Sequence, residues 1–178
     1  TKPIALISEA YEAGQKDFGE NYVQELVDKQ KELPKDINWH FIGHLQSNKV
    51  KQIAPFIHLI HGVDSLSLLQ EINKQAQKNN RVINCLLQIF IAIEETKFGL
   101  SFDECESLLK SEEFKQLQNV KVCGLMAMAS NTTDETQIRK EFKLVKEFSN
   151  KIIQHLKFNI QHLSFGMSPD YKIAIEEG

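Results

Sequence analysis

With 178 residues, 42% of them hydrophobic and 25% charged, the chain has the composition of one soluble globular domain with a sizeable core. A formal net charge of −3 gives no basic footprint for nucleic acid or for an anionic membrane surface. No apolar run approaches the roughly 20 residues needed to span a bilayer, and the opening residues lack the basic-then-apolar layout of a secretory signal, so a cytoplasmic location is expected.

Along the chain the hydrophobic period switches between helix and strand. Ile4, Ile7, Ala10 and Tyr11 recur at helical spacing between Pro3 and Ala13, and Gly14 is a C-terminal stop. A very short strand near Lys16 to Gly19 leads into a helix from Asn21 to about Lys31, closed by Pro34. NWHFIG, from Asn38 to Gly43, reads as a strand, Leu45 to Ala54 as a helix, and Ile57 to Val63 as the next strand. Ser65 is a good N-cap for the helix carrying Leu66, Leu69, Ile72 and Ala76. Val82 to Ile93, rich in β-branched residues, reads as a buried strand, and Ser101 opens a helix through Leu109. Val120 to Met128 is a strand, Thr133 to Leu156 a long helix, Ile160 to Phe165 a strand, and Pro169 to Glu177 a final helix.

Six strands alternating with seven helices imply parallel pairing through right-handed crossovers. A closed eight-stranded barrel typically takes about 250 residues, so this chain is short of one by about a βα unit or a little more. A doubly wound open sheet is the rival, and periodicity alone does not separate the two.

Cys85, Cys105 and Cys123 are far apart and odd in number, which reads as three reduced thiols rather than a disulfide framework. His58 and His61 lie three apart in a β-like run, which points them to opposite faces and argues against a two-histidine metal site.

In either α/β fold, function belongs at the carboxyl ends of the strands. At the last such junction, Ser168 stands where an N-cap belongs and Pro169 at the first helical position, so the helix start offers amides to an anion such as a phosphate. Gly166 lets the backbone approach a ligand, and Ser164 at the strand end offers a hydroxyl; an ordinary capped helix reads the same way. Asn21 either caps the second helix or reaches a ligand with its amide. Gln46, Asn48 and Lys49 crowd one turn as a solvated loop would, and Glu94 beside Glu95 reads as a solvated face. Lys97 is a candidate for anion binding or a Schiff base, against the usual behaviour of exposed lysines.

Taken in order, FGENYVQE, WHFIGHLQSNK, the segment around EETKFGL, the GLMAMA strand and LSFGMSPDY resemble the YggS/PROSC group of pyridoxal phosphate homeostasis proteins over the whole of Thr1 to Gly178. The resemblance implies an α/β fold: a (β/α)8 TIM-type barrel of the alanine racemase N-terminal type, one domain over residues 1–178 that lacks the first and last strands. It implies pyridoxal 5'-phosphate as cofactor, with Ser164, Gly166, Met167 and Ser168 in the wall near its phosphate and Asn21 beside its ring. In the family a strand reading like A-V-S-K-T-K-P precedes the first helix, and the first of its two lysines forms the Schiff base. That lysine is expected immediately before Thr1 and is absent from this chain, while Lys2 matches the second lysine. The family also continues past Gly178 with an arginine facing the pyridine nitrogen and a Gly-Thr contact to the phosphate, so this span alone is expected not to hold the cofactor tightly.

The function implied is a carrier and buffer of pyridoxal phosphate without an established catalytic reaction, and no catalytic residue is assigned. Pyridoxal phosphate-dependent apo-enzymes are the implied partners, with no nucleic acid and no membrane, and the protein is expected to be a monomer. The alternative is an amino-acid racemase or decarboxylase on the same barrel, which would need a second, largely β domain. A phosphate-sugar isomerase or aldolase barrel would want a carboxylate base at a strand end, and the junctions supply none convincingly.

Overall fold

The structure, a computed structural model, describes residues 2–94 and 97–178. Strands β1 (Asp17–Glu20), β2 (Asn38–Phe41), β3 (Leu59–Val63), β4 (Ile83–Ile89), β5 (Val120–Ala127) and β6 (His162–Phe165) form one sheet in the order β1-β2-β3-β4-β5-β6, with every neighbouring pair parallel. The helices are α1 (Ile4–Glu12), α2 (Val23–Glu32), α3 (Val50–Ile53, preceded by a 3-10 turn at Ser47–Lys49), α4 (Leu66–Lys78), α5 (Phe102–Lys110), α6 (Glu112–Lys115), α7 (Glu135–Leu156) and α8 (Tyr171–Glu177).

The strand order never reverses, so the crevice that defines a doubly wound sheet is absent from the described residues. The sheet also curls. His61 on β3 and Ser164 on β6 are separated by two intervening strands, which in a flat sheet would hold them about 14 Å apart at about 4.8 Å per strand. Their side chains instead hydrogen-bond at 2.8 Å, which only a curved sheet permits. The architecture is that of a barrel wall, with helices on the convex face.

Side-chain alternation then fixes two faces. Trp39, Phe41, Ile60, Cys85, Leu87, Val122 and Leu125 point outward into the main core beneath the helices. Leu59, Leu86, Cys123 and Met126 form a separate small cluster on the concave side, where Asp17, His40, His61 and Ser164 also lie. All three cysteines are buried and unpaired, and burial pushes their thiols above the ordinary range.

Local chemistry sets the helix starts. Ser65 accepts the Leu68 amide, and Ser101 forms a reciprocal capping box with Glu104. Several expected boundaries shift. The fourth strand stops at Ile89 because Phe90 turns back to Leu100, whose amide donates to the Gln88 carbonyl. Ser111 ends α5 and caps the separate helix α6, so the described residues form eight α-helices where seven were expected. The last helix starts at Tyr171, not Pro169, and its N-cap is Asp170, not Ser168. There Ser168 to Asp170 form a turn in which the Asp170 and Tyr171 amides donate to the Met167 carbonyl, while Asp170 Oδ1 accepts the Met167 amide at 2.5 Å.

Candidate functional site

At the carboxyl end of the curled sheet, Asn21, Ile42, His61, Met126, Met128, Ser164, Gly166 and Met167 surround a cavity of about 120 Å³. A neighbouring cavity of about 290 Å³ shares Asn21, Ile42, Met126 and Met128 and adds His44, Gln88, Lys97 and Phe98. Asn21 follows β1 directly and does not cap α2, whose N-cap is Tyr22 without a side-chain bond. The Asn21 loop can approach the turn after β2 only because residue 43 is glycine, since a Cβ there would sit 2.2 Å from the Asn21 carbonyl oxygen. Gly166, at φ +80°, swings the chain from β6 into the turn that carries Met167 and Ser168.

Four of the five residues singled out in the sequence, Asn21, Ser164, Gly166 and Met167, therefore meet around one cavity although 143 positions separate Asn21 from Ser164. Ser168 lies one residue beyond the lining, exposed in the turn. The helix start read from the sequence at Ser168 and Pro169 is instead a turn, in which Asp170 accepts the Met167 amide, and the helix itself begins at Tyr171. Lys97 points its ammonium at the Ala129 carbonyl and lies 3.8 Å from Glu94, at the wall of the second cavity. Glu95 lies outside the described residues. Gln46 and Lys49 line a shallow surface depression beside Asn21 and His44.

Histidines contribute more than the strand period suggested. His58 precedes β3 instead of lying in it, so the expected opposition to His61 fails; both rings approach His40, at centroid distances of 5.4 and 5.2 Å. His61 Nδ1 is 2.8 Å from Ser164 Oγ, His61 Nε2 is 2.9 Å from His40 Nδ1, and His40 Nε2 is 3.2 Å from Asp17 Oδ1. Burial, reinforced by His40 and His162, pulls His61 down to about 4, and burial also lowers His40 against the opposing pull of Asp17. Among the described residues no group of three or more His, Cys, Asp or Glu is arranged to hold a metal ion.

Residues 3–176 match the family model of the alanine racemase N-terminal domain. The chain is 40% identical over 179 residues to a pyridoxal phosphate homeostasis protein of Aquifex aeolicus, covering all of this chain and 78% of that protein. The chain belongs to the pyridoxal phosphate homeostasis protein family. A second member of the family, from Pseudomonas aeruginosa, is 38% identical over 179 residues, covering all of this chain and 75% of its own length. PipY of Synechococcus elongatus, at 34% identity, superposes on all of this chain and 83% of its own, with a TM-score of 0.93 without pyridoxal phosphate. The same comparison with its pyridoxal phosphate-bound form gives a TM-score of 0.88. Within the family domain, the curled parallel sheet and its concave polar row are the framework on which the cavity is built. No described helix is long and apolar enough to cross a membrane.

Proposed function

We propose that the chain binds pyridoxal 5'-phosphate in the cavity lined by Asn21, Ser164, Gly166 and Met167 and acts in intracellular cofactor homeostasis, as a carrier and buffer. The observation that carries this reading is the convergence of those four side chains or backbones, from the first and last strands, on one cavity at the carboxyl end of the sheet. Its chemistry suits the group: Ile42, Met126 and Met128 supply an apolar floor for an aromatic ring, Asn21 an amide, Ser164 a hydroxyl, and Gly166 a stretch of backbone in the wall. Bound pyridoxal phosphate supplies an aldehyde that condenses reversibly with amines, which is the chemistry a carrier must protect and release. Ser168, exposed one residue beyond the lining, would offer its hydroxyl to the phosphate at the solvent side of the wall.

The carrier reading is non-catalytic, monomeric and cytoplasmic, with pyridoxal phosphate-dependent apo-enzymes as recipients. An amino-acid racemase or decarboxylase is the alternative on the same barrel. Two measurements separate them. Titration of the protein with pyridoxal phosphate, followed by absorbance, should saturate, and Ser164→Ala should weaken it about tenfold, the typical worth of a hydrogen bond to a charged group. A titration that never saturates rejects the cavity as a cofactor site. Robust turnover of amino acids by the loaded protein, in racemisation or decarboxylation assays, rejects the carrier.

A further inference from the structure

A row of four polar side chains crosses the concave face of the sheet, and the placement of every proton in it is decided at one end. Asp17 Oδ1 lies 3.2 Å from His40 Nε2, His40 Nδ1 lies 2.9 Å from His61 Nε2, and His61 Nδ1 lies 2.8 Å from Ser164 Oγ. A carboxylate only accepts, so His40 carries its hydrogen on Nε2. A neutral imidazole has one such hydrogen, which leaves His40 Nδ1 bare and makes it accept from His61 Nε2–H. His61 Nδ1 is then bare in turn and accepts the Ser164 hydroxyl hydrogen. Ser164 thus faces the cavity with oxygen lone pairs and no hydrogen.

Both imidazoles are neutral in this state because burial lowers them, His61 to about 4. The titratable groups facing the pair are Asp17 from β1, His58 just before β3 and His162 from β6. Asp17, which also accepts from Asn38 Nδ2 at 3.1 Å, supplies the one negative charge of the row.

An anionic oxygen cannot be held by a hydroxyl that shows it only lone pairs. We propose that a phosphate group binds Ser164 only with uptake of one proton by this row, which reverses the His40–His61 and His61–Ser164 hydrogen bonds and leaves an imidazolium at His40 beside Asp17. The proton balance closes. In the free row, His40, His61 and Ser164 hold one hydrogen each. In the bound row Ser164 donates its hydrogen to the phosphate oxygen, His61 Nδ1–H donates to Ser164 Oγ, and His40 Nδ1–H donates to His61 Nε2. His40 keeps its Nε2–H on Asp17, so one hydrogen has been added, taken from water, and no bond between heavy atoms forms or breaks. His40 acts as a positioning residue, through His61, on the group that touches the ligand.

The inference rests on the cofactor reading only for the identity of the anion. Because binding consumes a proton, the row's contribution to affinity falls as pH rises, by up to tenfold per pH unit between the His40 titrations of the free and bound states.

Nitrogen NMR of imidazole-labelled protein reads the row directly. Free protein should show His40 and His61 as neutral Nε2–H tautomers. Addition of pyridoxal phosphate, or separately of inorganic phosphate, should turn His61 into the Nδ1–H tautomer and His40 into imidazolium. Calorimetry in two buffers of different ionisation heat should give about one more proton taken up by the unaltered protein than by Asp17→Asn, whose amide either accepts from or donates to His40 Nε2 and so needs no added proton. Binding of either ligand without the tautomer change, or with equal proton uptake in both proteins, overturns the proposal. So does a failure of both ligands to bind. If inorganic phosphate switches the tautomers while pyridoxal phosphate does not bind, the cofactor reading falls and the proton linkage stands. Should Asp17→Asn not fold, the NMR of the unaltered protein decides.

Discussion

His61, half-buried on the concave face, makes the fold sensitive to acid. His61 is held down to about 4 by burial against an ordinary value of 6.5, so the folded state disfavours its protonation while the unfolded chain accepts the proton freely. Its contribution to stability is therefore complete above pH 6.5 and is lost as pH falls toward 4, amounting to roughly 3 kcal/mol at about 1.36 kcal/mol per pKa unit. Denaturant midpoints measured from pH 7 to pH 4.5 should fall more steeply for the unaltered protein than for His61→Gln; parallel curves would show that His61 does not carry the effect. Gly43 makes the second residue-scale case. Alanine there would drive its Cβ to 2.2 Å from the Asn21 carbonyl, a backbone atom that cannot swing aside, so Gly43→Ala should cost about 1–3 kcal/mol in urea unfolding and weaken ligand binding by displacing Asn21. Neither residue drew a site role from the sequence, and the reason is geometric. A strand's period of two says which face His61 takes but not that Ser164, 103 positions later, waits across the curl.

Between elements, a buried ion pair joins β1 to α2. Lys29 is buried on α2 with its ammonium on Glu20 of β1, while Glu25 lies 3.5 Å away. Removing one partner strands a buried charge, so Lys29→Met should destabilise by about 3–5 kcal/mol, whereas adding Glu20→Leu should recover most of that loss. Equal losses in the single and double variants would deny the pairing. The sequence placed α2 and its Val23, Leu26 and Val27 stripe, yet a lysine in the buried layer has no signature in a hydrophobic period. Caps were legible where a single candidate existed, at Ser65 and Ser101. At the last helix two starts compete, Ser168 before Pro169 and Asp170 before Tyr171, and both satisfy capping rules. Gly166 in the left-handed region and the Met167 turn choose the second, and only the folded path from β6 reveals that choice.

At the scale of the whole molecule, alternating periods specified six parallel strands, but curvature is a collective property of strand twist and of the registers between pairs, which slip at Ile60/Val63 and at Cys85/Leu86. No local pattern encodes it, so periodicity alone leaves barrel and open sheet level; the family resemblance favours the barrel, and the hydrogen bond between β3 and β6 requires the curl. That same curl makes the site a property of the entire sheet, because Asn21 follows β1, His61 lies on β3 and Ser164 on β6, with β1 and β6 at the two edges. A ligand that touches both walls stabilises their approach. Near a hundredfold excess over its dissociation constant it should stabilise the fold by about 2.7 kcal/mol and raise Tm by roughly 5–10 °C. Pyridoxal, which lacks the phosphate, should do less. Amide exchange locates the gain: with pyridoxal phosphate bound, protection should rise in β1 and β6, whose edges fray most readily, more than in β4, which is already paired on both sides. A gain confined to the turn at 166–170 would mean that the ligand engages one loop and that the far wall at Asn21 plays no part.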